Sequence, residues 1–111
     1  GGTQYHVDHI IPHSHADRRR LMSANISEHR IKAIMASVDR IGNLQLLPAS
    51  ENLEKSDMPF DTWMQTRDGH YLKRHYIPDV VDDRHVSKLP EFVATREKLI
   101  WQNLKRLQLP G

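Results

Sequence analysis

The chain has 111 residues, which is enough for one domain and excludes two independent catalytic domains. Hydrophobic residues make up 38% and charged residues 27% of the sequence, which allows a modest core. The sequence contains no cysteine, so disulfides, thiolate zinc sites and cysteine nucleophiles are excluded, and any metal must use nitrogen or oxygen ligands. A net charge of +2 with neutral histidines gives only a weak attraction to polyanions.

A soluble protein of the cytoplasm is expected. No apolar run approaches the roughly 18 to 20 residues of a membrane span, and no signal segment opens the chain. The sequence begins Gly1-Gly2 without an initiator Met. We therefore expect residues 1–111 to be a single domain excised from a larger protein, with part of the function belonging to an absent partner domain.

The first half of the chain begins with a strand and a helix. The segment 5–12 mixes β-branched and aromatic residues with polar ones and ends at a proline, which predicts a strand at about 5–8. A polar stretch rich in His and Arg follows, and apolar residues at helical spacing then predict an amphipathic helix capped by Ser27. The apolar residues of this helix are Ile31, Ile34, Met35 and Val38.

A second strand and a short helix complete this half. A turn at 41–43 leads to a short apolar run at 44–48 that is stopped by Pro48. Good helix formers directly after this proline predict a helix over 49–56 that carries Asn52. The predicted order is therefore strand, helical insertion, strand, helix.

The second half is predicted to be helical with one polar loop at 73–88. A C-terminal helix runs from Pro90 to about 107, and Arg96 within its apolar stripe must either reach solvent or find a carboxylate partner. We expect the large apolar residues of these helices to lie in the core, namely Phe60, Trp63, Trp101 and Leu104.

Three short motifs carry residues suited to catalysis. Asp8 and His9 are adjacent at the end of a strand, where successive side chains point to opposite sides, so one could hold a metal while the other faces a water. Asn43 follows a glycine, and it could also be a plain turn residue that tolerates left-handed geometry. Asn52 lies on the short helix and is followed by Lys55.

Together the runs Asp-His-Ile-Ile-Pro, Gly-Asn-Leu and Ser-Glu-Asn-Leu-Glu-Lys-Ser-Asp closely resemble those of HNH endonucleases over residues 5–57. The sequence is similar to the HNH domain of the large CRISPR effector nuclease, and more similar overall to the C-terminal HNH domains of GmrSD-like and SspE-like phage-defence proteins. The resemblance implies an α+β fold with a ββα-metal core at 5–57, a helical insertion at 14–40 and C-terminal helical support at 58–109.

The resemblance also implies roles for four residues. His9 matches the general base that takes a proton from the attacking water, and Asn43 matches the residue that fixes the first loop and orients that base. Asp8 and Asn52 match the metal ligands. Their oxygen donors favour one Mg²⁺ or Mn²⁺ ion over zinc.

Further residues are candidates for contacts with substrate phosphates. Lys55 shares nearly the same helix face as Asn52, and His6 shares a strand face with Asp8, where it could instead be an additional metal ligand or a solvated residue. Three adjacent arginines could grip a DNA backbone or form a solvated loop; they are Arg18, Arg19 and Arg20.

These expectations combine into a metal-dependent DNA endonuclease that nicks one strand at a time. By resemblance, the parent protein belongs to a bacterial or archaeal anti-phage restriction system that acts on phage or modified DNA, with an N-terminal regulatory domain. Three alternatives stay open: a non-catalytic nucleic-acid-binding module, a partner-docking ββα module, and a nuclease that acts on RNA.

Overall fold

The computed structural model describes residues 3–78 and 85–107. Two strands, β1 (Tyr5–His9) and β2 (Leu44–Pro48), form an antiparallel pair in which Asp8 lies opposite Gln45. Both strands predicted from the sequence are confirmed, and β1 extends one residue further to include His9.

Helix α3 (Ala49–Lys55) starts directly after β2 and packs against both strands, which completes a ββα unit. The helix ends where Ser56 adopts a φ of 46°, because a residue with positive φ cannot continue a right-handed helix. The helix predicted over 49–56 is therefore confirmed, with its end one residue earlier.

The insertion between the strands contains more helix than predicted. Helix α2 (Glu28–Ser37) begins at Ser27, whose hydroxyl accepts a hydrogen bond from the Arg30 backbone, as expected of a capping serine. A 3-10 turn (His13–Ala16) and α1 (Arg18–Ser23) precede it and were not predicted. The α1 segment has almost no apolar periodicity, since Leu21 is its one buried residue.

Three helices follow the ββα unit in the part of the chain that is described. They are α4 (Phe60–Met64), α5 (Tyr71–Arg74) and α6 (Leu89–Leu107). The predicted loop at 73–88 is wrong at both of its ends, which lie in α5 and in a 3-10 turn (Val86–Lys88), while 79–84 lie outside the described residues. None of the described helices is long and apolar enough to cross a membrane.

The core lies between the ββα unit, the insertion and the first half of α6. Phe60 and Trp63 are buried as predicted, at 3% and 0% exposure. The prediction is wrong for Trp101 and Leu104, which are 53% and 46% exposed because they lie on the second half of α6. All the fully buried side chains of α6 come from its first eight residues, 89–96.

Arg96 satisfies neither of the two outcomes predicted for it. Its guanidinium is buried and donates hydrogen bonds to the carbonyl oxygens of Ile41 at 3.1 Å, Leu44 at 2.7 Å and His75 at 3.0 Å. Burial lowers the pKa of Arg96 to about 10. The side chain therefore ties α6 to the turn that leads into β2.

Candidate active site

A shallow cleft of about 310 Å³ lies where β1 ends against α3. Three of the four residues assigned to catalysis or metal binding line it together, namely Asp8, His9 and Asn52. Asp57, which ends the third sequence motif and was given no role from the sequence, also lines this cleft. The fold thus brings side chains from both ends of a 5–57 segment to one place.

The Asp8 carboxylate lies at the inner edge of the cleft and is only 6% exposed. Its Oδ2 atom accepts a hydrogen bond of 2.8 Å from Gln45, the residue opposite it in the sheet. The Lys55 ammonium lies 3.3 Å from Oδ1 and 3.2 Å from Oδ2. Both carboxylate oxygens are therefore fixed by protein groups.

Lys55 is fully buried beneath the cleft, at 0% exposure. Its Nζ atom also donates to the backbone oxygen of His9 at 2.9 Å, so it ties α3 to the end of β1. Burial lowers the pKa of Lys55, and the Asp8 carboxylate opposes that shift. The phosphate contact predicted for Lys55 does not fit this burial, because the ammonium faces Asp8 and not the surface.

A buried hydrogen-bond chain continues from Asp8 into the helical support. Tyr71 donates its hydroxyl to Gln45 at 3.2 Å, and the Trp63 indole donates to the Tyr71 hydroxyl at 3.0 Å. Gln45, Tyr71 and Trp63 are each at most 5% exposed. The C-terminal helices therefore help to hold the Asp8 carboxylate as well as to cover the core.

His9 points away from Asp8 and lies on the surface side of the cleft. Its Nε2 atom is 2.7 Å from Oδ1 of Asp39, a residue in the turn after α2. The ring of His13 lies edge-on at a centroid distance of 5.4 Å. The opposite orientation of two adjacent strand residues, which the sequence predicted, is present at Asp8 and His9.

Asn43 is completely buried and joins three segments. Its amide oxygen accepts from the Ile11 backbone at 2.9 Å, and its amide nitrogen donates to the carbonyl oxygens of Ile11 at 3.0 Å and Val38 at 2.9 Å. Its own carbonyl oxygen accepts from Ile10 at 2.8 Å. Asn43 thus fixes the loop that directly follows His9, and its φ is not in the left-handed region.

Helix α6 holds the turn that carries Asn43. The Glu97 carboxylate accepts from the Gly42 backbone at 3.1 Å and from Arg40 at 2.8 Å, and this pairing lowers the pKa of Glu97. Gly42 packs so closely on α6 that a Cβ atom would lie 2.9 Å from the Val93 Cα and closer still to the Val93 carbonyl oxygen. Only glycine permits this approach.

Asn52 and His6 meet at the exposed end of the cleft, where Nδ2 of Asn52 lies 3.2 Å from Nδ1 of His6. The Asn52 amide oxygen has no hydrogen-bond partner among the described residues, so it is available as a ligand. No group of three or more His, Asp or Glu side chains in residues 3–78 and 85–107 is arranged to hold a metal. A pair of oxygen donors fits Mg²⁺, which keeps several waters and binds few protein ligands.

The three arginines of the insertion lie on the first turn of α1 and differ in their surroundings. Arg18 forms an ion pair with Glu28 at 2.6 Å, which occupies its guanidinium. Arg20 lines a separate cavity of about 270 Å³ together with His15. Arg19 is exposed. None of the three arginines lines the cleft of Asp8, His9 and Asn52.

The family model for the C-terminal domain of GmrSD restriction endonucleases, an HNH-type nuclease domain, matches residues 2–98. The chain belongs to this family. A search of curated proteins found no significant match. The GmrSD C-terminal domain match confirms the resemblance seen in the sequence, and the mixed α and β architecture of the model is compatible with it.

Membership of the GmrSD family makes the domain a nuclease of the restriction-endonuclease type, a class that acts on DNA and generally uses divalent metals. Two residues that contact the site residues were missed from the sequence, Asp39 and Gln45. Gln45 could have been found, because the residue opposite Asp8 follows from the register of the two strands. No sequence pattern around Asp39 indicates that it lies next to His9, which is 30 positions away in the chain.

Proposed function

We propose that this GmrSD-family domain is a divalent-metal-dependent DNA endonuclease that hydrolyses one phosphodiester strand at a time. The observation that carries the proposal is the shared cleft of Asp8, His9 and Asn52, with Asn43 bound to the loop beneath it. A domain that only binds nucleic acid has no chemical need for an imidazole beside a carboxylate and an amide oxygen.

In the proposed mechanism, His9 is the general base. Its imidazole lies at the surface side of the cleft, where a water can reach it, and histidine is the side chain that most often accepts a proton in general base catalysis. As the water oxygen bonds to phosphorus, its proton moves to the imidazole and the bond to the 3′ oxygen breaks. Asn43 keeps the loop after His9 in place during this transfer.

Asp8 and Asn52 are proposed to hold one Mg²⁺ or Mn²⁺ ion. Such an ion supplies Lewis-acid stabilisation of the charge that develops on the phosphate. Asp8 offers a carboxylate whose direction is fixed by Gln45 and Lys55. Asn52 offers its amide oxygen, while its amide nitrogen faces His6. His6, next to Asn52, is proposed only as a phosphate contact at the edge of the site. Arg18, Arg19 and Arg20 are proposed only as contacts to DNA phosphates outside the cleft.

The biological setting follows from the family. We propose that residues 1–111 form a single nuclease domain of a larger anti-phage restriction protein, whose N-terminal regulatory part controls when phage or modified DNA is cut. A single site of this kind cuts one strand, so a double-strand break requires two copies or two successive nicks.

The proposal is tested by conversion of supercoiled plasmid with Mg²⁺, with Mn²⁺ and with EDTA. We expect open circles to form with either metal and not with EDTA. Asn52→Ala should lower conversion and His9→Ala should abolish it, while both variants keep the circular-dichroism spectrum of the wild type. Conversion in EDTA would contradict metal dependence, and cleavage of RNA in place of plasmid would contradict the substrate. Binding without conversion under any metal would favour the non-catalytic alternative.

A further inference from the structure

Asp39 makes the shortest side-chain contact to His9, although the two residues are 30 positions apart in the chain. Its Oδ1 atom lies 2.7 Å from His9 Nε2, and its Oδ2 atom lies 3.9 Å from His13 Nε2. The Asp39 side chain is 71% exposed and the His9 side chain 30% exposed. An exposed carboxylate contributes little to the core, so this contact needs an explanation other than packing.

The backbone holds Asp39 from both sides. The carbonyl oxygen of Val38 accepts from the buried Asn43 amide at 2.9 Å. The Arg40 backbone donates to Ser37 at 3.1 Å, and its guanidinium is paired with Glu97. The carboxylate is therefore presented to His9 by a turn that is anchored to the rest of the site.

The contact determines which ring nitrogen is available. A carboxylate can only accept, so the Nε2 atom of a neutral His9 carries the proton and donates to Asp39. The lone pair is then on Nδ1. This second nitrogen has no hydrogen-bond partner among residues 3–78 and 85–107, so it is free to face a water.

We propose that Asp39 is a positioning residue that fixes the ring orientation and tautomer of His9, so that Nδ1 receives the proton of the attacking water. This inference rests on the proposed nuclease function. The water proton passes to Nδ1 as the oxygen–phosphorus bond forms, and the leaving 3′ oxygen takes a proton from solvent. Asp39 keeps the Nε2 proton and stabilises the imidazolium that results, as carboxylates do beside other catalytic imidazoles.

Steady-state cleavage by Asp39→Ala and Asp39→Asn tests the proposal in the 111-residue chain. We expect Asp39→Ala to lower kcat by about 10-fold or more without raising KM, because loss of the carboxylate that orients a functional histidine has effects of at least about that size. The amide introduced by Asp39→Asn is uncharged but can still accept from Nε2, so this variant should lose less. Glu91→Gln removes a partly exposed carboxylate paired with Arg30 and serves as the matched control. An unchanged kcat for Asp39→Ala, or a rise in KM alone, would overturn the assignment.

A second measurement does not require cleavage. The Nε2 proton of His9, assigned by its absence from His9→Ala, should be visible by proton NMR in the wild type and lost in Asp39→Ala. The same spectrum in both would overturn the proposal even if the domain cuts DNA. Conversely, a wild type that shows the Asp39-dependent proton but cuts no DNA would refute the nuclease function and leave the His9–Asp39 pairing standing.

Discussion

Asp8 and His9 are neighbours in β1, yet their side chains lie in opposite environments. Asp8 turns inward, where Lys55 and Gln45 fix both of its carboxylate oxygens at 6% exposure. His9 turns outward to the exposed Asp39 carboxylate. The comparison indicates that substitutions on the inner side of the site should change folding stability as well as metal binding, whereas substitutions on the outer side should change mainly the cleavage rate.

The largest effect on stability is expected when the inner ion pair is broken. Lys55→Met leaves the Asp8 carboxylate buried without its countercharge, so the free energy of unfolding should fall by about 3 to 5 kcal/mol. Urea denaturation followed by circular dichroism measures this loss. Asp8→Asn in the Lys55→Met background should restore part of it, because the buried charge is then removed. Lys98→Met, on the exposed surface of α6, is the control. If Lys55→Met lowers the free energy of unfolding by no more than this control does, the buried ion pair does not stabilise the fold as proposed.

A smaller loss is expected at the contact between α6 and the turn that carries Asn43. Gly42→Ala places a Cβ against the Val93 backbone, which must shift, and should cost about 1 to 3 kcal/mol. Gly69→Ala is the matched control, because its Cβ would meet no atom within 4 Å, and it should change stability by no more than about 0.5 kcal/mol. Equal denaturation midpoints for the two variants would contradict the close packing.

The smallest effect is expected at Glu97, which links the same turn to α6. Glu97→Gln should cost about 1 kcal/mol at pH 7, because a partly exposed charge-assisted hydrogen bond is weakened. Arg40 lowers the pKa of Glu97 in the folded state. The stabilisation is therefore complete above the ordinary carboxyl pKa of 4.5 and is lost as pH falls through the lowered value. A difference between wild type and variant that does not shrink below pH 4.5 would exclude this ion pair as its source.

The contrast between the two sides also shows what the sequence could predict. Strands, the capped helix α2 and the motif residues are local features, and residue spacing or a single cap is enough to indicate them. Asn52 and Lys55 were correctly expected to share a face of α3, since both contact residues of β1. Whether that face is buried at Lys55 depends on how α3 packs on the sheet, which spacing does not encode.

Other features depend on contacts between distant segments. Asp39 reaches His9 only because the insertion folds back to the end of β1. Arg96 finds backbone carbonyl oxygens rather than a carboxylate because the turn at Ile41–Asn43 packs against α6. Trp101 is one of the large apolar residues of α6 but is exposed, because the buried residues of this helix are all in its first half. Periodicity shows which residues share a face but not how far the neighbouring structure extends.

The most direct test of the account is the cleavage rate of His9→Ala at saturating protein on an end-labelled DNA duplex with Mg²⁺, measured together with DNA affinity and thermal stability. A general base contributes about 100-fold or more to a rate. We predict a loss of at least that size, with an unchanged melting temperature and nearly unchanged DNA affinity. Cleavage by His9→Ala at the wild-type rate would remove His9 from the mechanism and contradict the assignment of this cleft as the active site.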